Sequence, residues 1–194
     1  MNVRRIVVKS TLVCAAALAL GAMPSSRALA RSDNEQASAK HHGQAAGLIK
    51  TVREATERFK DVAVAEAEGY SLMFGCVSGP DSGAMGLHYV NLPLVLDGVL
   101  DPSQPEIIIY EPLPNGRLKM TGADFLVFAA DWHKSNAATP ELQGQLMHLF
   151  ESPNRFGLPN FYTLHVWAWK ENPTGTFSNW HSNVSCDAFA PGPQ

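Results

Sequence analysis

The sequence predicts an α+β fold: a mostly antiparallel sheet with a long N-terminal helix and a short inserted helix packed on it. Three observations carry this reading. An apolar stripe at helical spacing runs through residues 44–68. Extended apolar segments then follow one another from Tyr70 to Lys170. The two strongest of these, residues 106–111 and 117–129, are joined by a turn containing Asn115-Gly116, a hairpin signal. No crossover helix fits between them, which disfavours parallel βαβ units.

The elements can be justified in order. Residues 1–30 read as an export signal: Arg4, Arg5 and Lys9 precede an apolar stretch from Thr11 to Ala22, and Ala28-Leu29-Ala30 places small residues where a signal peptidase reads them. The apolar stretch is too short to span a bilayer. Arg4-Arg5 with the following Ile6, Val7 and Lys9 fits twin-arginine export as well as the general route. Residues 31–43 are polar, include His41-His42, and read as a flexible leader ahead of a single domain over 44–194. In the helix, Leu48, Val52, Ala55, Phe59 and Val62 draw the buried stripe, Arg53/Glu57 and Glu54/Arg58 form i,i+4 pairs, and Gly69 stops it.

Strands are expected at residues 70–77, 86–91, 106–111, 117–129 and 161–170. Prolines and glycines mark loops at residues 78–83, 97–105, 152–160 and 172–175. The inserted helix is expected after Thr139, with Pro140 in its first turn and Leu142, Leu146, Leu149 and Phe150 on its apolar face; His148 falls opposite.

The chain has 194 residues, 45 % hydrophobic and 17 % charged, which fits one globular domain and not a disordered chain. It has no polybasic tract, so it carries no electrostatic footprint for nucleic acid. Cleavage after Ala30 would remove four basic residues and leave 11 basic against 18 acidic, a formal charge of −7. That suits a soluble exported protein with no membrane insertion once the signal is gone. It would also leave two cysteines, Cys76 and Cys186, with one possible intramolecular pairing. In an oxidising compartment a disulfide is the simplest use of them, with two thiolate metal ligands as the alternative.

Candidate chemistry lies on the apolar extended segments. In the last strand one face carries Phe161, Thr163, His165, Trp167 and Trp169. A histidine placed mid-strand among aromatics needs a hydrogen-bond partner or a metal. His88 sits in the short segment 86–91, Glu111 ends the Ile-rich strand, and Asp124 shares a face with Met120, Leu126 and Phe128. If they converge, His88, Glu111 and His165 make a three-ligand site for zinc, copper or iron, with Asp124 as a fourth ligand or a support behind them. Three other readings stay open. Tyr89, Trp167 and Trp169 could wall an apolar pocket in which the same polar groups orient a small ligand. A histidine and a carboxylate could act without metal as an acid–base pair. The groups could also form a satisfied polar network. His133, His148 and His181 are weaker candidates. The chain has no nucleophile elbow, phosphate loop or dinucleotide fingerprint.

Several motifs together are specific. They are Ala67-Glu68-Gly69-Tyr70 with Cys76, the run from Gly83 to Asn91, Pro105-Glu106 with Tyr110-Glu111-Pro112, and Phe156-Gly157. Leu164-His165-Val166-Trp167 follows, with Lys170, Asn172-Pro173, Gly175, Trp180 and Val184-Ser185-Cys186. On these, from about Thr51 to Cys186, the chain resembles a family of exported bacterial proteins of no assigned activity. The resemblance implies export and a shared importance of His88, Glu111 and His165. Relatives in that family tend to have Glu where Asp124 stands, and Asn-Pro where this chain has His181-Ser182, which weighs against a ligand role for His181.

Overall fold

The computed structural model describes residues 26–190. The chain divides into two compact units, Met1–Ala37 and Ser38–Gln194. The first contributes the helical residues 26–37, and the second holds everything that follows. Most of the proposed export signal lies outside the described residues. No described helix is long and apolar enough to cross a membrane.

Helix α1 (Ser26–Thr56) begins earlier than the apolar stripe predicts. Residues 31–43, expected as a flexible leader, are helical, and the side chains of 34–43 are exposed. Good helix formers such as Ala, Gln and Lys carry the helix there without an apolar face to betray it. The C-terminal half and the turn after it present the expected stripe, with Leu48, Val52 and Phe59 buried. The helix does not run unbroken to Glu68. It passes through one 3₁₀ turn (Glu57–Lys60) and restarts as α2 (Val62–Ala67). Asp61 causes the restart: its backbone is extended and its carboxylate accepts from the Ala63 N–H at 3.1 Å, a cap that competes with helix interior. Neither expected i,i+4 pair is the contact made. Arg53 donates to the Ala168 carbonyl at 2.6 Å, Lys50 pairs with Glu54, and Arg58 reaches Glu68.

Gly69 takes φ +95° and turns the chain into the sheet. The strands are β1 (Ser71–Ser78), β2 (Ala84–Val90), β3 (Ile107–Pro112), β4 (Leu118–Phe128), β7 (His148–Phe150) and β8 (Phe161–Val166), and a two-residue pair, β5 (Glu141–Leu142) and β6 (Gln145–Leu146), stands apart. The six-stranded sheet has the order β1-β2-β3-β4-β8-β7, and every pairing is antiparallel. The predicted β3–β4 hairpin is present, with Gly116 at φ +77° in its turn.

The inserted helix after Thr139 is not formed. Gln143 and Gly144 adopt φ +46° and +78°, a tight turn that folds residues 141–146 into the small β5–β6 hairpin and sends β7 to the sheet edge. Leu142 and Met147 are the buried residues there, while Leu146 and Leu149 are exposed, so the leucine stripe is not a packed helix face. The short inserted helix lies instead between β2 and β3, as α3 (Leu92–Asp97). Pro93 sits in the first turn of this helix, where no backbone donor is lost. A single turn, α4 (Ala129–Trp132), follows β4.

Strand alternation divides the sheet's residues between two cores. One contains Leu48, Val52, Tyr89, Ile108, Tyr110, Phe125 and Leu164, under α1. Three hydrogen bonds fasten the helical segment to it: Tyr110 Oη to the Phe59 carbonyl, Trp169 Nε1 to Thr56 Oγ1, and the Arg53 bond. The opposite core contains Val90, Val95, Ile107, Ile109, Leu126, Phe161, Trp167 and Val184. The Cys76–Cys186 disulfide is formed, with Cα atoms 5.7 Å apart, and ties β1 to the C-terminal segment.

Candidate metal centre

Three strands each offer one polar side chain to the second core. In β2, Leu87 and Tyr89 pack under α1, so His88 points the other way. In β4, Ala123 and Phe125 pack under α1 and Asp124 faces away; in β8, Leu164 and Val166 do so and His165 faces away. The register sets Ile107 beside Asp124 and Asp124 beside His165, while His88 pairs with Ile109 one strand further over. The His88 and His165 ring centroids are 5.9 Å apart, nearly perpendicular. One potential ligand atom from each of His88, Asp124 and His165 lies within 4.8 Å of the others, in an arrangement that can hold a metal ion. All three side chains are buried.

Hydrogen bonding prepares these groups unequally. His88 Nδ1–H donates to the Gly86 carbonyl at 3.2 Å, which leaves the Nε2 lone pair free. Gly86 holds φ +94°, and a Cβ there would lie 2.5 Å from the Tyr110 carbonyl oxygen, so only glycine fits. Asp124 Oδ1 accepts from Thr163 Oγ1 and lies 3.5 Å from His165 Nδ1. That separation is longer than a charge-assisted hydrogen bond. His165, only 2 % exposed, therefore has no hydrogen-bond partner on either ring nitrogen. The Asn179 side chain lies near this ring, and its buried Oδ1 is also without a partner.

Burial sets the charge state. It pulls His88 down to about 4, helped by the neighbouring His165. It pulls His165 down to about 3, against the opposing influence of Asn179. It pushes Asp124 up to about 6, opposed by His88, Thr163 and backbone N–H groups. At neutral pH the cluster is two neutral imidazoles and an ionised carboxylate, a buried negative charge with lone pairs around it. Burying such a charge without a counter-ion is costly, and a cation would relieve it. A cavity of about 30 Å³, room enough for a water-sized guest, opens beside the three groups. Apart from them and Thr163 its lining residues are apolar, among them Met85, Ile107 and Phe161.

Of the four expected ligands, His88, Asp124 and His165 converge and Glu111 does not. A register shift between Ile109 and Tyr110 lies between Glu111 and the cluster. Glu111 is used elsewhere, accepting from Lys170 Nζ at 2.6 Å and from the Ser185 N–H at 3.2 Å. Asp124, expected as an auxiliary, takes its place. The proposed aromatic pocket does not assemble either. Trp167 packs on the cluster's side, with its ring 5.9 Å from His165, whereas Tyr89 and Trp169 pack with the core under α1. The strand ends at Val166 with an Ala168 N–H to Val166 carbonyl bond at 2.8 Å, so alternation stops before Trp169.

Three further polar side chains lie at or near the site. Thr163 was visible as the same-face neighbour of His165. Asn179 carried no signal. His181, weighted low, is fully buried with Nε2 unpartnered, its ring 4.7 Å from Trp167. His133 bonds Tyr162 Oη at 3.0 Å, and His148 is exposed as expected. Comparison of the chain with protein-family models, with curated proteins and with solved structures found no match.

Proposed function

We propose that this protein is exported and binds one divalent transition metal ion through His88, Asp124 and His165, leaving a coordination position open toward the neighbouring cavity. The observation that carries the reading is His165: a wholly buried imidazole with both nitrogens unpartnered, beside an ionised carboxylate. A second imidazole is already oriented by Gly86. Two histidines and one carboxylate with open positions suit iron(II) or zinc, and copper accepts the same donors. Asn179 would accept from the far nitrogen of His165 and fix the tautomer that coordinates. Such a site could activate a bound water or small molecule. The disulfide supports an oxidising compartment, reached through the signal read in residues 1–30.

A metal-free acid–base pair is poorly served by the same residues. A general base works best with a pKa near the working pH; Asp124, raised to about 6, meets that condition, but burial holds both imidazoles far below it, so neither histidine can serve as the partner acid. The test is elemental analysis by inductively coupled plasma mass spectrometry on tag-free protein purified from the periplasm, beside a His88→Ala/His165→Ala variant. Close to one metal ion per chain is expected, and it should be lost in the folded variant. Protein that holds no metal even after reconstitution with iron(II), zinc and copper overturns the reading.

A further inference from the structure

Two neighbouring cavities make up an apolar cleft beside the cluster. The first, of about 30 Å³, adjoins the three groups, and the second measures about 50 Å³. The two share Phe74, Ile107, Leu126 and Leu158 as walls. The second cavity has no polar side chain in its lining. In the first, the polar side chains are His88, Asp124, Thr163 and His165, gathered at the site itself. A charged or strongly polar molecule held between these walls would shed its hydration and find no partner short of the cluster. An apolar molecule would lose nothing by entering the cleft.

Phe74 stands where the two cavities meet, and its backbone is unusual. Met73 pairs with His88 and Cys76 with Leu87, so Phe74 and Gly75 are extra residues bulging from edge strand β1. Phe74 adopts φ +66°, a left-handed conformation that a bulky side chain rarely takes. The bulge aims its ring over the cleft, 5.6 Å from the Phe156 ring, with 45 % of the residue still exposed. The ring belongs to neither buried core.

We propose that the cleft admits a small uncharged apolar molecule, of the size of a diatomic gas, to the His88–Asp124–His165 site, and that the Phe74 ring sets its access. Size follows from the two volumes, and the lack of charge follows from the lining. The proposal rests on the metal reading for what the molecule meets at the end of the cleft. Access itself does not depend on metal.

The first arm of the test uses metal-free protein and xenon, followed by methyl NMR under gas pressure. Xenon enters dry apolar cavities. Saturable shifts are expected at the methyls of Ile107, Leu126 and Leu158. Phe74→Trp should weaken xenon binding several-fold, whereas Leu146→Trp, at an exposed residue outside the cleft, should not. No shifts at these methyls, or shifts that Phe74→Trp leaves unchanged, overturn the proposal. The second arm uses anaerobic iron(II)-loaded protein mixed with nitric oxide, or with azide as a small charged probe. Nitric oxide is expected to bind at least tenfold faster than azide, slower in Phe74→Trp and faster in Phe74→Ala, with iron affinity unchanged. Azide binding as fast as nitric oxide would overturn the uncharged specificity. A protein that takes up no iron defeats the metal reading alone, because the xenon arm still decides whether the cleft admits an apolar molecule.

Discussion

Asp124 is held buried at an electrostatic cost that its hydrogen bond from Thr163 offsets only in part. Burial lifts its pKa from 3.8 to about 6, so at pH 7.5 the folded protein carries an ionised carboxylate that the unfolded chain would solvate more comfortably. Replacing it with Asn keeps the shape and an acceptor for Thr163 while removing the charge. We expect Asp124→Asn to abolish stoichiometric metal binding and to raise the stability of the metal-free protein by about 2 kcal/mol in urea unfolding at pH 7.5. A loss of metal-free stability would mean that the carboxylate serves the fold. Glu106 gives an independent pH signature. It is 1 % exposed, accepts from the Leu126 N–H at 3.0 Å, and burial pushes its pKa up to about 8. The folded state therefore keeps a proton that the unfolded state gives up near pH 4.5. Stability from this group falls as pH rises toward 8, by up to about 1.4 kcal/mol per pH unit, and is level above. The depressed imidazoles of His88 and His165 act the other way, adding stability as pH rises through the unfolded value of 6.5, so the slope belongs to Glu106 only between about pH 7.5 and 8, where the unfolded histidines are also neutral and Asp124 is ionised. Glu106→Gln should flatten it.

At the scale of elements, β2 is the strand on which site and fold depend together. All seven of its residues are buried, and it lies between β1 and β3. Gly86 lets β2 pass close to the Tyr110 carbonyl and gives His88 its orienting acceptor. Gly86→Ala combines a side chain at φ +94° with a contact that the backbone of β3 cannot yield. We expect a loss of about 3 kcal/mol in denaturant unfolding, and metal binding weakened in whatever remains folded. A variant of unchanged stability would show that β2 can shift without penalty. The neighbouring β1 behaves differently. As an edge strand it can carry the Phe74–Gly75 bulge, because no partner on its outer side constrains its register.

For the whole molecule, the disulfide spans most of the second unit. Cys76 and Cys186 are 110 residues apart in sequence, so the link restricts the unfolded chain more than it shapes any local element. In the chain-entropy account a closure of that length contributes about 4–5 kcal/mol. Cys76→Ser/Cys186→Ser should lower unfolding free energy by roughly that amount while leaving the metal content of the folded fraction unchanged, since neither cysteine belongs to the cluster. Loss of metal in a variant that stays folded would show that the C-terminal segment, with Asn179 and His181, is held in place by the bridge.

What the sequence determined by itself is whatever one periodicity or one composition decides. Strand alternation and turn chemistry put the antiparallel sheet and the β3–β4 hairpin in the right places, because side-chain period and Asn-Gly turns act over a few residues. The disulfide was legible because only two of the three cysteines lie beyond the N-terminal apolar stretch. Alternation along single strands likewise marked His88, Asp124 and His165 as candidates. The tertiary structure decided the rest. Which carboxylate joins the histidines depends on register across three strands, and the shift at Ile109/Tyr110 separates Glu111, which pairs with Lys170, from Asp124, which meets His165. Trp169 parted from Trp167 because the strand stops at Val166. The leucines of residues 142–149 could draw a helix face or a pair of short strands, and two residues at positive φ chose the strands. These outcomes turn on how segments distant in sequence meet, and no local pattern in the chain carries that information.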